Sequence, residues 1–231
     1  VTNINHSRNE EQQSRGTRVL IVTAVDAEKD AVLRGLGGNT KADVIAAGVG
    51  PAYAAASTAA ALAAADEPYG LVISAGIGGG FDGVAAIGSL VVADEIIAAD
   101  LGAESQEGFI SVDELGFGTA RLEADPAWSR RIYDAIQAAG LSAVLAPALT
   151  VSTATGSAAT AAVHAARIPG AAAEGMEGYG VAVAAQRLAI PFTELRAISN
   201  AVGPRDRAAW RIGEALAALE AASAAILEVL E

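Results

Sequence analysis

The sequence predicts a single α/β domain: a three-layer αβα sandwich around a mixed central sheet. Two observations carry that expectation. Short apolar runs rich in β-branched residues alternate with helix-patterned segments, and 52% of the 231 residues are hydrophobic, enough to bury a core on both faces of a sheet. No linker or internal repeat interrupts the rhythm, so residues 18–231 read as one domain. Residues 1–17 read as a disordered polar leader, without the apolar centre of a secretory signal.

Residues 18–24 (RVLIVTA) read as a buried strand. Asp26 is expected to cap a helix to about residue 36, its acidic start suiting the helix dipole. A second strand over residues 43–47 ends at Gly48-Val49-Gly50, and Pro51, at a first helical position, opens a helix to about residue 65. A third strand over residues 71–75 runs into a glycine-rich segment at 76–80. A longer strand is expected over 89–99, then a loop holding Asp100, Glu104 and Phe109. The second half repeats the pattern: helix from Asp125-Pro126 to about 139, strand 143–152, helix 157–166, strand 171–175, helix 177–188 and strand 192–199. A long final helix over 206–230 turns Ile212, Leu216, Leu219, Ile226 and Leu230 mostly to one side.

Composition excludes several classes of function. The formal net charge is −12 and no Lys/Arg cluster could track a phosphate backbone, so nucleic acid is not an expected partner. With no cysteine there are no disulfides, thiolate nucleophiles or zinc-thiolate sites. His6 and His164 are too few for a histidine metal cage or an obvious Ser-His pair, and neither metal nor cofactor is expected. Charge, Gly or Pro breaks every alanine run before about 18 apolar residues accumulate, so no membrane span is expected and the chain reads as cytoplasmic.

In such folds ligands gather at the carboxyl ends of strands. Residues 25–28, Gly48-Val49-Gly50, residues 76–80, residues 175–178 and Ser199-Asn200 all fall there, which defines a crevice but no reaction. A dinucleotide-dependent oxidoreductase is the alternative from another class. Its Gly-x-Gly-x-x-Gly fingerprint is incomplete at Gly48 and Gly50, and no acidic residue closes a second strand about 20 positions on.

Five segments, RVLIVTAVDAE, AAGVGPAYAA, ISAGIGGGF, AEGMEGYG and RAISN, resemble the nucleoside phosphorylase and nucleosidase superfamily in order and spacing. Within it, VVADEIIAADLGAES, GFISVDELGFG and ISNAVGPRDRAAW resemble the futalosine hydrolases, nucleosidases of the menaquinone pathway. The resemblance implies a nucleoside-phosphorylase-like fold and cofactor-free hydrolysis of futalosine to hypoxanthine and dehypoxanthine futalosine. It also implies a nucleoside as the small-molecule partner and self-association, with a dimer the expected form. Another purine nucleosidase, or a phosphorylase, is the near alternative.

The resemblance also implies roles for individual residues. Glu28 matches the general base, although by itself it reads as an exposed residue of a first helical turn. Met176-Glu177 matches the ribose clamp, with Met176 an apolar floor and Glu177 an acceptor for the sugar hydroxyls. Asn200, beside Ser199, stands where nucleosidases acting on 6-aminopurines carry an aspartic acid. An amide can accept from N7–H and donate to O6 together, which suits a 6-oxopurine. Ile77 and Gly78 would line the purine pocket through their backbones. Trp210 matches an aromatic over the base, with core packing the plain alternative, and Phe109 is a candidate for the ligand's far end. Arg196 matches an arginine that holds structure rather than substrate. Phosphorylase relatives carry a phosphate-binding arginine two residues before the glycine matched by Gly76; here that residue is Ser74, which favours water as the nucleophile. The side arm of futalosine carries an aromatic carboxylate. Arg205 and Arg207 are candidates for it but read first as solvated turn residues.

Overall fold

The structure, a computed structural model, describes residues 18–230. The leader expected over residues 1–17, and His6 within it, lie outside the described residues.

The strands are β1 (Val19–Thr23), β2 (Ala42–Ala46), β3 (Leu71–Gly80), β4 (Leu90–Val92), β5 (Glu95–Ala98), β6 (Gly102–Ser105), β7 (Gly108–Ser111), β8 (Arg121–Glu123), β9 (Ala143–Leu145), β10 (Ala148–Thr150), β11 (Ala173–Gly175) and β12 (Phe192–Ala201). The helices are α1 (Asp26–Gly35), α2 (Pro51–Ala64), α3 (Pro126–Ala138), α4 (Ala158–Arg167), α5 (Gly178–Arg187) and α6 (Ile212–Leu230). Apart from the β6–β7 hairpin, the strands form one mixed sheet in the order β8-β5-β10-β11-β3-β12-β4-β9, with β1 also paired to β3 and β2 to β1. α1, α3 and α6 cover one face over a core including Val19, Ile21, Ile73, Leu195 and Leu219. On the other face α2 packs against α5 over Leu20, Val22, Val72, Val181 and Ile198. Among the described residues no helix is long and apolar enough to cross a membrane.

One strand explains where the site lies. β3 keeps β12 along one side for its whole length. On its other side it pairs parallel with β1 from Leu71 to Ser74, then antiparallel with β11 at Gly79 and Gly80. The sheet therefore forks, and residues 75–78 have no strand on that side. Backbone groups left open by a fork must find other partners if they are buried.

The segment at residues 76–80, expected to follow the strand as a glycine-rich turn, is strand throughout. Its glycines answer to crowding rather than turning. A Cβ on Gly78 would lie 2.7 Å from the Glu174 carbonyl oxygen, and one on Gly80 would overlap that of Ala85. The single strand expected over 89–99 is β4 and β5, interrupted at Ala93-Asp94, where the partners change from β12 and β9 to β10 and β8. The strand expected over 143–152 is likewise divided at Ala146-Pro147, since proline has no N–H for a ladder. The expected loop around Glu104 and Phe109 is the β6–β7 hairpin, and β8 had no strong apolar pattern to announce it. The final helix does not start at Asp206: a 3-10 turn over Arg207–Ala209 precedes it, and α6 begins at Ile212.

Candidate active site

Glu28 sits in the first turn of α1, yet it is only 4% exposed, which removes the solvated reading. Val25, not Asp26, occupies the cap position of α1 and has no side chain able to cap. Glu28 folds back instead: Oε2 accepts from Ala24 N–H at 2.9 Å and from Val25 N–H at 3.3 Å. Oε1 accepts from Ile77 N–H at 2.9 Å, a group exposed by the fork in β3. Three backbone donors thus fix the carboxylate, and a carboxylate has further lone pairs to offer.

Glu177, at the start of α5, is 5% exposed. Its Oε1 accepts from Gly50 N–H at 3.1 Å, and its Oε2 accepts from Met176 N–H at 3.2 Å. Gly50 has φ of 94°, a left-handed backbone that glycine adopts without strain, so its N–H can face the crevice. Met176 is half-buried at the same turn.

Arg196, 1% exposed, joins these groups from β12. It donates through Nε to Glu194 at 2.6 Å, through Nη2 to Ser74 Oγ at 3.1 Å and through Nη1 to the Ile77 carbonyl at 3.4 Å. Nη1 also lies 3.3 Å from Glu177 Oε2. Burial disfavours its charge, but the carboxylates of Glu194, Glu177 and Glu28 outweigh that and hold the guanidinium above its ordinary pKa. Burial pushes the Glu194 carboxyl up, against the downward pull of Arg196. Among the described residues Glu194 Oε2 has no hydrogen-bond partner, and it packs on Gly178, where a Cβ would overlap it. Gly76 is the meeting point: a Cβ there would lie 2.7 Å from both Arg196 Nη1 and Glu28 Oε1. Arg196 is therefore structural, as its match implied, and Ser74 serves it.

At the other end of the crevice β12 bulges between Ile198 and Asn200. The Ser199 hydroxyl lies 3.2 Å from the Gly78 carbonyl and 2.8 Å from Asn200 Oδ1. Asn200 Nδ2 donates to the Ala201 carbonyl at 2.9 Å, and the side chain is half-exposed, with one amide hydrogen and an oxygen lone pair still open. Asn200 stands opposite Gly79, two residues along β3 from the N–H that holds Glu28. At about 3.3 Å per residue, a span of roughly 7 Å separates these two points on the strand, within reach of one nucleoside.

The five segments expected at the crevice form two hydrogen-bonded groups, one through Glu28, Ile77 and Ser199 and one through Gly50 and Glu177, and Arg196 bridges them through the Ile77 carbonyl and Glu177. Trp210 is half-buried, with the Arg205 guanidinium 5.1 Å from its ring centre, and its neighbour Arg211 returns an N–H to the Ser199 carbonyl at 2.8 Å. Phe109 is not brought there. It lies under the Arg167 guanidinium, 4.2 Å from it, and lines a cavity of about 410 Å³ that shares no residue with the crevice. Sequence reasoning missed Glu194; its place two residues before Arg196, on the same face of a strand, was the available signal.

Residues 13–231 match the family model described as the phosphorylase superfamily, and the chain belongs to that superfamily. Within it the chain belongs to the futalosine hydrolase family. It is 54% identical over 232 aligned residues to the futalosine hydrolase of Streptomyces coelicolor, covering 92% of this chain and 96% of that one. Identity to the futalosine hydrolase of Acidothermus cellulolyticus is 49% over 220 residues, 90% of this chain and 89% of that one. Among solved structures, the 5'-methylthioadenosine/S-adenosylhomocysteine nucleosidase of Neisseria meningitidis superposes with a TM-score of 0.78 at 19% identity, over 91% of this chain and 98% of that one. The futalosine hydrolase of Helicobacter pylori does so with 0.76 at 17%, over 93% and 97%. At such identities the superpositions bear on the fold alone.

Proposed function

We propose that the chain hydrolyses the N-ribosidic bond of futalosine, releasing hypoxanthine and dehypoxanthine futalosine in menaquinone biosynthesis. The observation that carries the reading is the arrangement of Glu28 and Glu177 around Gly76 and Arg196, in a chain 54% identical to a futalosine hydrolase. Water attacks the anomeric carbon as the bond to the base breaks, and its proton passes to Glu28, whose lone pairs are aimed by three backbone donors. Positive charge builds on the sugar in this step. Three buried carboxylates around one arginine leave a negative surrounding that favours it. Glu177 accepts hydrogen bonds from the ribose hydroxyls above Met176. The bond electrons leave with the base, which takes up a proton from solvent at N7, and Asn200, turned by Ser199, accepts a hydrogen bond from that N7–H and donates one to O6. The backbones of Ile77 and Gly78 line the base, with Trp210 against its face.

Ser74, which stands where phosphorylase relatives carry a phosphate-binding arginine, is itself uncharged and engaged by Arg196, which supports water over phosphate as nucleophile. The chain is read as cytoplasmic and as a homodimer; exposed Val49, Tyr53, Leu101 and Phe117 supply apolar surface for self-association, which sedimentation would measure. The functional test is incubation with futalosine in phosphate-free buffer while free hypoxanthine is followed. Release without phosphate supports the reading, and release only on adding phosphate overturns it.

A further inference from the structure

A second cluster of buried polar side chains stands beside the crevice and has no part in the chemistry described so far. Glu174, in β11, is 8% exposed, and His164, in α4, is 6% exposed. Burying a carboxylate is costly unless its oxygens are bonded, and both oxygens of Glu174 are. Oε1 accepts from Thr155 N–H at 2.8 Å, and Oε2 accepts from the Thr155 hydroxyl at 2.5 Å. His164 Nδ1 lies 3.5 Å from Oε2 and 3.4 Å from the Thr155 hydroxyl oxygen. A threonine, a histidine and a carboxylate could make a nucleophile, but their order here is wrong for one. Activation requires the hydroxyl to donate to the imidazole, whereas this hydroxyl donates directly to the carboxylate. The two bonds clamp Thr155 to β11 instead, with His164 packed behind them.

What the clamp holds can be followed through the next residue. The Gly156 carbonyl accepts from Arg205 N–H at 3.3 Å. Among the described residues this is the only hydrogen bond from residues 203–210 to another element. The segment leaving Asn200 has two other supports, Val202 N–H on the Gly80 carbonyl and Arg211 N–H on the Ser199 carbonyl, and both are on β3 and β12. Gly156 alone ties it to the side of β11, the strand that runs on into Met176 and Glu177. The distance bridged is short. Gly79 is paired with Glu174 on one side and with Asn200 on the other, which puts those two residues about 10 Å apart across the sheet. Val202 passes over Gly79 between them, since a Cβ there would lie 2.8 Å from Val202 Cγ2.

We propose that Glu174 is a positioning residue for the base end of the site: by clamping Thr155 it makes Gly156 a fixed support for the segment that begins at Asn200. The bridge sets the amide of Asn200 relative to Met176 and Glu177, so that one nucleoside meets both ends at once. Glu174 acts through Thr155 and takes no part in bond cleavage. Its role in turnover rests on the futalosine reading, whereas the clamp itself does not.

The test uses Thr155→Val, which keeps the shape and removes the hydroxyl, and Thr155→Ser, which keeps the hydroxyl. Valine should lower kcat/KM for futalosine by roughly ten- to a hundredfold, mostly in kcat, and serine should stay near the wild type. In an Asn200→Ala background the same valine substitution should cost less than about twofold, because the group being positioned is gone. An equal loss in both backgrounds, or an effect confined to the melting temperature, overturns the proposal. A second measurement needs no turnover: exchange of the Arg205 amide hydrogen in the ligand-free protein, followed by NMR. Exchange should accelerate in Glu174→Ala and Thr155→Val but not in Thr155→Ser, and Thr155→Val carries the comparison should Glu174→Ala fail to fold. Unchanged exchange in Thr155→Val overturns the clamp even where futalosine is hydrolysed. Accelerated exchange in a protein that leaves futalosine intact overturns the hydrolytic reading and keeps the clamp.

Discussion

Replacing Gly76 with alanine tests the account at its narrowest point. The new methyl group would lie 2.7 Å from Glu28 Oε1 and 2.7 Å from Arg196 Nη1, 0.7 Å short of the 3.4 Å at which ordinary contact begins. Neither neighbour can retreat freely. Glu28 is held by the N–H groups of Ala24, Val25 and Ile77, and Arg196 by Glu194 and Ser74. Overpacking of this kind costs about 1–3 kcal/mol, which leaves a folded protein. A catalytic group displaced toward 1 Å loses about a hundredfold in rate. Gly76→Ala should therefore melt somewhat lower than the wild type and release hypoxanthine with kcat reduced by about that factor. Parallel thermal melts and steady-state kinetics make the measurement. An unchanged kcat in the folded variant would refute the claim that the spacing of Glu28 about Gly76 sets the chemistry.

Other substitutions separate the remaining roles. Glu28→Gln should lower kcat by roughly 10²–10⁴ while nucleoside binding, followed by calorimetry, persists. Its amide leaves one of the three backbone donors without an acceptor, so a stability loss of about 1–3 kcal/mol should accompany it; full activity would remove Glu28 from the mechanism. Asn200→Asp should lower kcat/KM on the hypoxanthine nucleoside by roughly a hundredfold and improve relative turnover of 6-amino analogues, because the donor to O6 is gone. An unaltered ratio of the two substrates would contradict its assignment to the base. Glu194 has a folded pKa raised by burial above its unfolded value, so its contribution to stability is full at low pH and is lost as pH rises through the raised value. Denaturant titrations should accordingly find that wild-type stability declines more than that of Glu194→Gln as pH climbs above the ordinary carboxylate range. Parallel pH profiles for the two proteins would oppose that assignment.

Much of the architecture was legible because it follows from local pattern. The apolar runs at β1 and β2 and the proline opening α2 specify those elements within a residue or two. The glycine-rich end of β3 was not, because glycine as a turn former and glycine as a clearance for neighbouring groups look alike in sequence. Only the fork shows that Gly76 and Gly78 make room for Arg196 and for the Glu174 backbone. Glu28 posed the same difficulty in reverse. An acidic first-turn residue is ordinarily solvated, and its burial depends on Ile77, 49 residues away in sequence. Residues 89–99 show the opposite error, where apolar content on both sides of Asp94 concealed a break between β4, which pairs with β12 and β9, and β5, which pairs with β10 and β8. Site residues named from the resemblance came together where hydrogen bonds tie their segments, whereas Phe109 lies with Arg167 elsewhere.

The central claim is that a protein-bound water, deprotonated by Glu28, takes the place of the purine on the sugar. Turnover of futalosine in ¹⁸O-labelled water, with mass analysis of the sugar product, measures that directly. The account predicts one labelled oxygen at the anomeric carbon and free hypoxanthine in equal amount, with no phosphate required. A sugar phosphate, or a product sugar carrying no label after prompt quenching, would contradict it.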